Sequence, residues 1–99
     1  AKVARILLTP SILDYVEVSD GAGVIEIAAP KKLNGKTLAE LNIRKLHGVI
    51  VLAIEKRNTI TGKKTIWVPD ADDMIETNDI MVVFGPESKL KQFEKSLSD

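Results

Sequence analysis

Two short segments near the start of the chain have the pattern of a β-hairpin. Residues 15–18 alternate between the two faces of a half-exposed strand, and residues 24–28 are rich in β-branched side chains. Asp20 and Gly21 lie between them and favour a tight turn. The pattern therefore predicts two paired strands over residues 15–18 and 24–28.

A helical period of hydrophobic residues appears at the other end of the chain. Leu90, Phe93 and Leu97 recur at spacings of three and four, which places them along one side of a helix. Glu87 and Lys91 are four residues apart and form a favourable charge pair on the other side. We predict an amphipathic helix over residues 86–97.

The middle of the chain combines short helices with further strands. Thr37 and Glu40 form a capping box at the start of one helix. Asn42 is suited to cap a second helix over residues 43–47, and Gly48 to end it. Strands are predicted over residues 49–54 (buried), 59–61, 65–68 and 80–84, with a polar loop over residues 69–73. The predicted fold class is α+β, a small, mostly antiparallel β-sheet with short helices and a C-terminal helix.

Residues 1–14 stand apart from this pattern. Residues 2–8 are a short apolar segment, which we interpret as the end of a helix or an arm from a missing upstream domain. Pro10 cannot continue a helix as an interior residue, and residues 11–14 favour a linker turn.

Composition excludes two classes of function. Fourteen basic residues balance fourteen acidic ones, whereas nucleic-acid-binding domains usually carry a basic excess. The longest apolar run, residues 49–54, has six residues, and a membrane span needs about twenty. We expect neither nucleic-acid binding nor direct membrane insertion.

Catalytic and metal-binding patterns are missing from the sequence. The chain has no cysteine, and its single histidine, His47, has no nucleophile in a recognisable pattern. Acidic residues cluster between Asp70 and Asp79, but without the spacing of a calcium-binding loop. We interpret this cluster as a solvated loop, with a weak divalent-cation site as the alternative. We expect no catalytic residue, no metal ligand and no enzyme activity.

The two short helices carry more apolar residues than a sheet this small can cover. These residues are Leu38, Leu41, Ile43 and Leu46. We expect a patch around Ile43 to be left uncovered by its own chain and closed by a second copy, with Arg44 at its rim. A guanidinium beside aliphatic side chains suits a phosphate whose attached base lies on the apolar surface. The alternative is that this face is only a dimer seam or part of the core.

Several segments, taken in order, resemble the C-terminal domain of the RCK proteins (regulators of potassium conductance), also called the TrkA-C domain. They are residues 12–19, 33–44, 48–54, 68–73 and 78–85, followed by the closing helix through Phe93 and Glu94. The resemblance extends over essentially the whole chain, and it depends on order and spacing rather than on one motif.

The resemblance implies an organisation and partners. It implies that residues 1–14 are a linker and arm from a missing upstream nucleotide-binding domain of Rossmann type, and that residues 15–99 are the TrkA-C regulatory domain. In the family this domain forms a homodimer, and the full-length regulator forms an octameric ring beneath a membrane potassium-transport subunit. A cytoplasmic protein, peripheral to a membrane transporter, is therefore expected.

The resemblance also implies a ligand. Some Ktr-type members bind cyclic di-AMP in the cleft between two C-terminal domains, which makes it the candidate regulatory ligand here. The positions that line that cleft would fall on Leu38, Ile43, Arg44, Leu46, Ile50 and Pro69. Adenines would lie on the aliphatic side chains and Pro69, with Arg44 facing the phosphates. Ile50 stands where ligand-responsive members often carry asparagine, and residues 62–64 lengthen a hairpin that we expect near the cleft.

We therefore expect a ligand-sensing, dimerising regulatory domain of a Ktr/Trk-type potassium-transport gating subunit. Two alternatives remain: a structural dimerisation module without a ligand, and the same domain on another cation channel or antiporter. The lack of a nucleophile–base pair argues against a small enzyme.

Overall fold

The computed structural model of the chain describes residues 12–98. In chain order the elements are β1 (Ile12–Ser19), β2 (Ala22–Ala28), a short 3-10 helix (Lys31–Leu33), β3 (Lys36–Thr37), α1 (Leu38–Leu41), α2 (Ile43–His47), β4 (Ile50–Arg57), β5 (Lys64–Trp67), β6 (Met74–Ile75), β7 (Ile80–Pro86) and α3 (Glu87–Leu97). None of the helices within residues 12–98 has the length and hydrophobicity needed to cross a membrane.

Five strands form one antiparallel sheet in the order β1-β2-β7-β4-β5. The last strand, β7, lies between the hairpins β1–β2 and β4–β5 and is therefore the central strand. A separate pair, β3 and β6, forms a small antiparallel ribbon. This architecture confirms the predicted α+β fold class.

One face of the sheet forms the hydrophobic core with α3. The buried side chains on this face and on the helix include Ile25, Ile27, Met81, Val83, Leu90, Phe93 and Leu97. Full burial of one such side chain stabilises the fold by roughly 1.5–3 kcal/mol. The apolar side of α3 packs against the sheet through Leu90, Phe93 and Leu97. The predicted Glu87–Lys91 pair is present on the helix, with 3.8 Å between Glu87 Oε1 and Lys91 Nζ.

The opposite face of the sheet, here called the outer face, carries apolar residues together with charged ones (Asp14, Glu26, Glu55, Arg57 and Lys64). The strand registers place on it Val16, Val24, Ile50, Ala53, Ile66, Val82 and Phe84. Val16 and Ile66 are 57% and 60% exposed, and Ile50 is 41% exposed. The prediction of a buried strand over residues 49–54 is therefore wrong on this point, because β4 is buried on its core side only.

The first strand begins earlier than predicted. β1 starts at Ile12, whose side chain is buried in the core. Residues 12–14, which were predicted to belong to a linker turn, therefore lie in the sheet. The predicted arm over residues 2–8 lies outside the described residues.

The predicted strand over residues 59–61 is a turn. The Asn58 side-chain oxygen accepts hydrogen bonds from the amides of Ile60 (2.9 Å) and Thr61 (3.0 Å). Such a side-chain contact holds the backbone in a turn and competes with strand pairing. The hairpin between β4 and β5 is consequently closed by a well-defined loop with Ile60 at its exposed tip.

A buried carboxylate fixes the turn that precedes β7. Asp79 is 3% exposed, and its Oδ2 accepts the Glu76 amide at 3.0 Å. Its Oδ1 lies 3.3 Å from Lys56 Nζ, and its backbone carbonyl accepts the Ala29 amide at 2.7 Å. Lys56 also contacts the Glu76 carboxylate, and Glu76 first, then Asp79, raises the pKa of Lys56 above its ordinary value. Asp79 thus has a structural role within the acidic stretch between Asp70 and Asp79.

We predict that Asp79→Ala lowers the free energy of unfolding by about 2 kcal/mol, because it removes a charge-assisted hydrogen bond and the partner of Lys56. Asp72, which is exposed in the same acidic stretch, serves as the matched control. Asp72→Ala should change the value by less than about 0.5 kcal/mol. Urea unfolding measures both, and equal effects would contradict the structural role of Asp79.

Candidate functional site

Two very short helices are fixed by their caps. Thr37 Oγ1 accepts the Glu40 amide at 3.1 Å, and the Thr37 amide donates to Glu40 Oε1 at 2.9 Å. This reciprocal pair confirms the predicted capping box. The hydrogen bond from the Thr37 amide to its carboxylate lowers the pKa of Glu40.

The break between the helices is at Asn42. Asn42 adopts a left-handed conformation (φ 47°) that ends α1 and begins α2, and Gly48 (φ 69°) ends α2 in the same conformation. The predicted helix over residues 43–47 and its glycine C-cap are confirmed. The Asn42 side chain makes no capping hydrogen bond. The prediction that Asn42 caps the second helix through its side chain is therefore wrong.

A depression of about 380 Å³ lies between these helices, β4 and the segment after β5. It is lined by Leu38, Asn42, Ile43, Arg44, Val49, Ile50, Val51, Pro69 and Ala71. Five of the six residues that the resemblance implied line this one depression. Leu46 does not line it, and at 68% exposure its side chain projects from α2.

The depression exists because β5 leaves β4 early. β5 pairs with Ile54–Arg57 only, so the first half of β4 has no strand on that side among residues 12–98. After β5 the chain turns to α1, where Ala39 donates its amide to the Ala71 carbonyl at 2.9 Å. As a result, a gap remains between the first half of β4 and residues 69–71, and this gap is the depression.

The lining is apolar with one charge. Arg44 is the only charged residue among the lining residues, and its side chain is exposed at the rim. Val49 and Ile43 are buried beneath it. An apolar floor, one guanidinium and one free-standing amide, that of Asn42, suit a ligand with a planar ring and a phosphate.

The expected uncovered patch is not centred on Ile43. Ile43 is 6% exposed and belongs to the core of its own chain. The exposed aliphatic side chains near the depression are instead Leu46, Ile50 and Leu52, with exposures of 68%, 41% and 42%. The expectation fails because α2 turns Ile43 inward, against β4, and Leu46 outward.

Sequence reasoning missed Asn42, Val49, Val51 and Ala71 as lining residues. Val49 and Val51 were missed because they belong to a predicted buried strand. They line the depression because β5 does not pair with this half of β4. The lengthened hairpin at residues 62–64 was expected near the cleft, which is wrong, because it follows Arg57 at the opposite end of β4 from Ile50.

A larger cavity, of about 540 Å³, lies at that opposite end. Its lining residues are Asn34, Lys56, Arg57, Thr59, Glu76, Thr77, Asn78, Asp79 and Ile80. Two basic and two acidic residues balance there, and Lys56 is already paired with both acids. Within residues 12–98 no cluster of three or more potential ligands could hold a metal ion. We regard the depression beside Arg44 as the better candidate site.

His47 is a packing residue. Its ring lies edge-on to Phe93, with 5.2 Å between the ring centroids. This contact anchors the end of α2 to α3.

Comparison with known proteins identifies one family. The TrkA-C domain matches residues 24–98. Ktr system potassium uptake protein C of Bacillus subtilis is 34% identical over 95% of this chain, and the K(+)/H(+) antiporter subunit KhtT of the same organism is 34% identical over 84%. The chain spans only 40% and 50% of these two proteins.

A solved structure shares the fold. The RCK C domain of the potassium transport protein KtrA, in complex with cyclic diadenosine monophosphate, is 28% identical, with a TM-score of 0.66. The similarity covers 78% of this chain and 85% of that domain.

The capping box gives a prediction about pH. Because the pKa of Glu40 is lowered in the folded state, its contribution to stability is present above the ordinary value of 4.5 and is lost as the pH falls through the folded-state pKa. We expect Glu40→Gln to be less stable than wild type at pH 7, with a difference that shrinks progressively as the pH is lowered below 4.5. Urea unfolding over this pH series measures it, and a difference independent of pH would contradict a role for the ionised carboxylate.

Proposed function

This chain belongs to the TrkA-C domain family, and from that premise we propose that it is a dimerising regulatory domain that binds cyclic di-AMP and controls a Ktr-type potassium-transport system. The observation that carries the proposal is the depression beside Arg44. Five residues that the family resemblance assigned to a dinucleotide site line it together. The relatives named for potassium uptake, and the KtrA domain solved with cyclic di-AMP, support the same function.

The chemistry of the depression fits one half of a cyclic dinucleotide. An adenine would lie on Leu38, Ile50 and Pro69, where it would bury apolar surface. The Arg44 guanidinium at the rim would pair with a phosphate, for which its planar fork is well suited. The two-fold symmetry of the ligand calls for a second, identical depression, which a second copy of the chain would supply.

Leu46 has a different role from the other five residues in this proposal. It does not line the depression, but it is exposed on α2, two residues after Arg44. We place it in contact with the second copy rather than with the base.

Regulation would follow from a difference in affinity. A ligand held by two copies favours the separation of the copies that fits it, and it shifts the equilibrium only by its preference for that state. Couplings of this kind are typically about 1–3 kcal/mol. We propose that residues 1–11, which precede β1, are the linker and arm that transmit this bias to an upstream nucleotide-binding domain, and through it to a membrane potassium-transport subunit.

Two alternatives keep the fold and change the function. The domain could dimerise without a ligand, or it could serve an antiporter, as the similarity to KhtT illustrates. The first alternative predicts no heat of binding and no thermal shift with cyclic di-AMP, whereas a ligand at about 100 times its dissociation constant adds about 2.7 kcal/mol of stability. The second predicts binding, and is tested by which transporter the full-length protein regulates.

We predict that Arg44→Ala weakens cyclic di-AMP binding by at least about 10-fold, because a charge-assisted contact contributes about 1.5–3 kcal/mol. Lys45→Ala is the matched control, since Lys45 is the adjacent exposed cation and does not line the depression. Isothermal titration calorimetry measures both variants. Equal losses in the two would show that the binding depends on overall charge, and would contradict a specific phosphate contact.

We predict a second polar contact, from Asn42. Its side-chain amide lines the depression, and it could replace the contact that asparagine makes in relatives where this chain has Ile50. Asn42→Gly removes the amide while glycine retains the left-handed conformation without strain. We expect an affinity about 5- to 10-fold lower with an unchanged melting temperature. Unchanged affinity would exclude Asn42 from the site.

A further inference from the structure

We propose that Asp73 is a positioning residue of the candidate ligand site, because its carboxylate holds Pro69 in place as one wall of the depression beside Arg44. Pro69 lines the depression, whereas Asp73 does not. The inference rests on the proposed function for the identity of the ligand. It adds a residue that would act on the ligand only through Pro69.

The segment that carries Pro69 has few attachments to the rest of the domain. Trp67 is the last paired residue of β5, and the next fixed point is Ala71, whose carbonyl accepts the Ala39 amide at 2.9 Å. Between them, Val68 is 81% exposed, and proline has no amide hydrogen to donate. Within the described part of the chain, the hydrogen bonds of residues 68–70 are those between residues 70 and 73.

Asp73 closes a turn around Asp70. Its Oδ2 accepts the Asp70 amide at 2.8 Å, and its own amide donates to the Asp70 carbonyl at 3.1 Å. The Asp70 nitrogen belongs to the planar peptide bond with Pro69, so a hydrogen bond to this amide fixes the ψ angle of Pro69. The proline ring already fixes φ. Both backbone dihedral angles of Pro69 are therefore set.

Asp73 is itself anchored to α1, which forms another part of the depression. Its carbonyl accepts the amide of Leu38, a lining residue, at 3.2 Å. The strand that follows Asp73, β6, pairs with β3 just before α1. The turn therefore connects Pro69 to a fixed point of the fold. A ligand that enters the depression meets a wall that is already ordered, and it does not have to order Pro69 itself.

Isothermal titration calorimetry with cyclic di-AMP measures the effect on affinity. We expect Asp73→Ala to weaken binding about 5-fold, which corresponds to the net contribution of one hydrogen bond. Asp73→Asn keeps an oxygen acceptor and should remain within about 2-fold of wild type. Asp72→Ala is the matched control, because Asp72 is an exposed carboxylate in the same turn and does not line the depression. It should leave the affinity unchanged.

A double-mutant cycle tests whether Asp73 acts through Pro69. In a Pro69→Ala background, Asp73→Ala should weaken binding by less than about 2-fold further, because the wall contact is already lost. In an Arg44→Ala background the whole loss of about 5-fold should remain, because the guanidinium contacts the phosphate and not the base. The same loss in both backgrounds would show a general destabilisation of the domain, and would overturn the positioning role.

Backbone order in the ligand-free chain separates this inference from the proposed function. We expect the NMR order parameter of the Asp70 amide to be about 0.85 in wild type and below about 0.6 in Asp73→Ala. An unchanged order parameter, or equal losses of affinity in Asp73→Ala and Asp73→Asn, would overturn the inference. A wild type that does not bind cyclic di-AMP would contradict the proposed function, and the order parameter would still decide whether Asp73 holds the wall.

Discussion

The candidate site depends on one constraint, the short pairing between β4 and β5. β5 has four residues and pairs only with the second half of β4. The backbone beyond Trp67 then joins α1 through the hydrogen bond between Ala39 and Ala71. A β5 long enough to pair with all of β4 would fill the space where Ile50 and Val51 now face a cavity. The position of the depression is therefore set by the length of β5. Its charged and amide groups, Arg44 and Asn42, come from α2 and the residue that precedes it.

The two cavities of the described residues differ in how their charges are arranged. In the larger cavity, Lys56 is paired with Glu76 and with the buried Asp79, and this network fixes the turn before β7. A charged ligand that binds Lys56 there would compete with these pairs. In the depression, Arg44 is exposed and is the only charged residue of the lining. Size alone would therefore select the cavity in which Lys56 is already paired.

Most of the fold could be predicted from the sequence because local signals agree with the tertiary structure. The capping box at Thr37 and the spacing of Leu90, Phe93 and Leu97 are examples of such signals. The turn at Asn58 was missed because β-branched neighbours suggested a strand, while a side-chain hydrogen bond decided the backbone. The pairing of β3 with β6 was missed because two-residue strands have no periodicity.

The site could be predicted only in part, for a different reason. Residue type and family resemblance identified five of the nine residues that line the depression. Burial could not be predicted in the same way, because it depends on the direction in which a short helix turns. Ile43 and Leu46 are both aliphatic and lie three residues apart, yet one is buried in the core and the other is exposed. No pattern within five residues of helix distinguishes them. The exposure of β4 on the outer face could not be predicted either, because the run from Val49 to Ile54 resembles a strand buried on both sides.

Methyl-resolved NMR during titration with cyclic di-AMP shows whether the depression opened by β5 is the ligand site. We predict that the methyl signals of Leu38 and Ile50 shift with saturation, while that of Ile60, beyond the far end of β4, stays unchanged. Shifts confined to Ile80, in the larger cavity, or no shifts at saturating ligand, would contradict it.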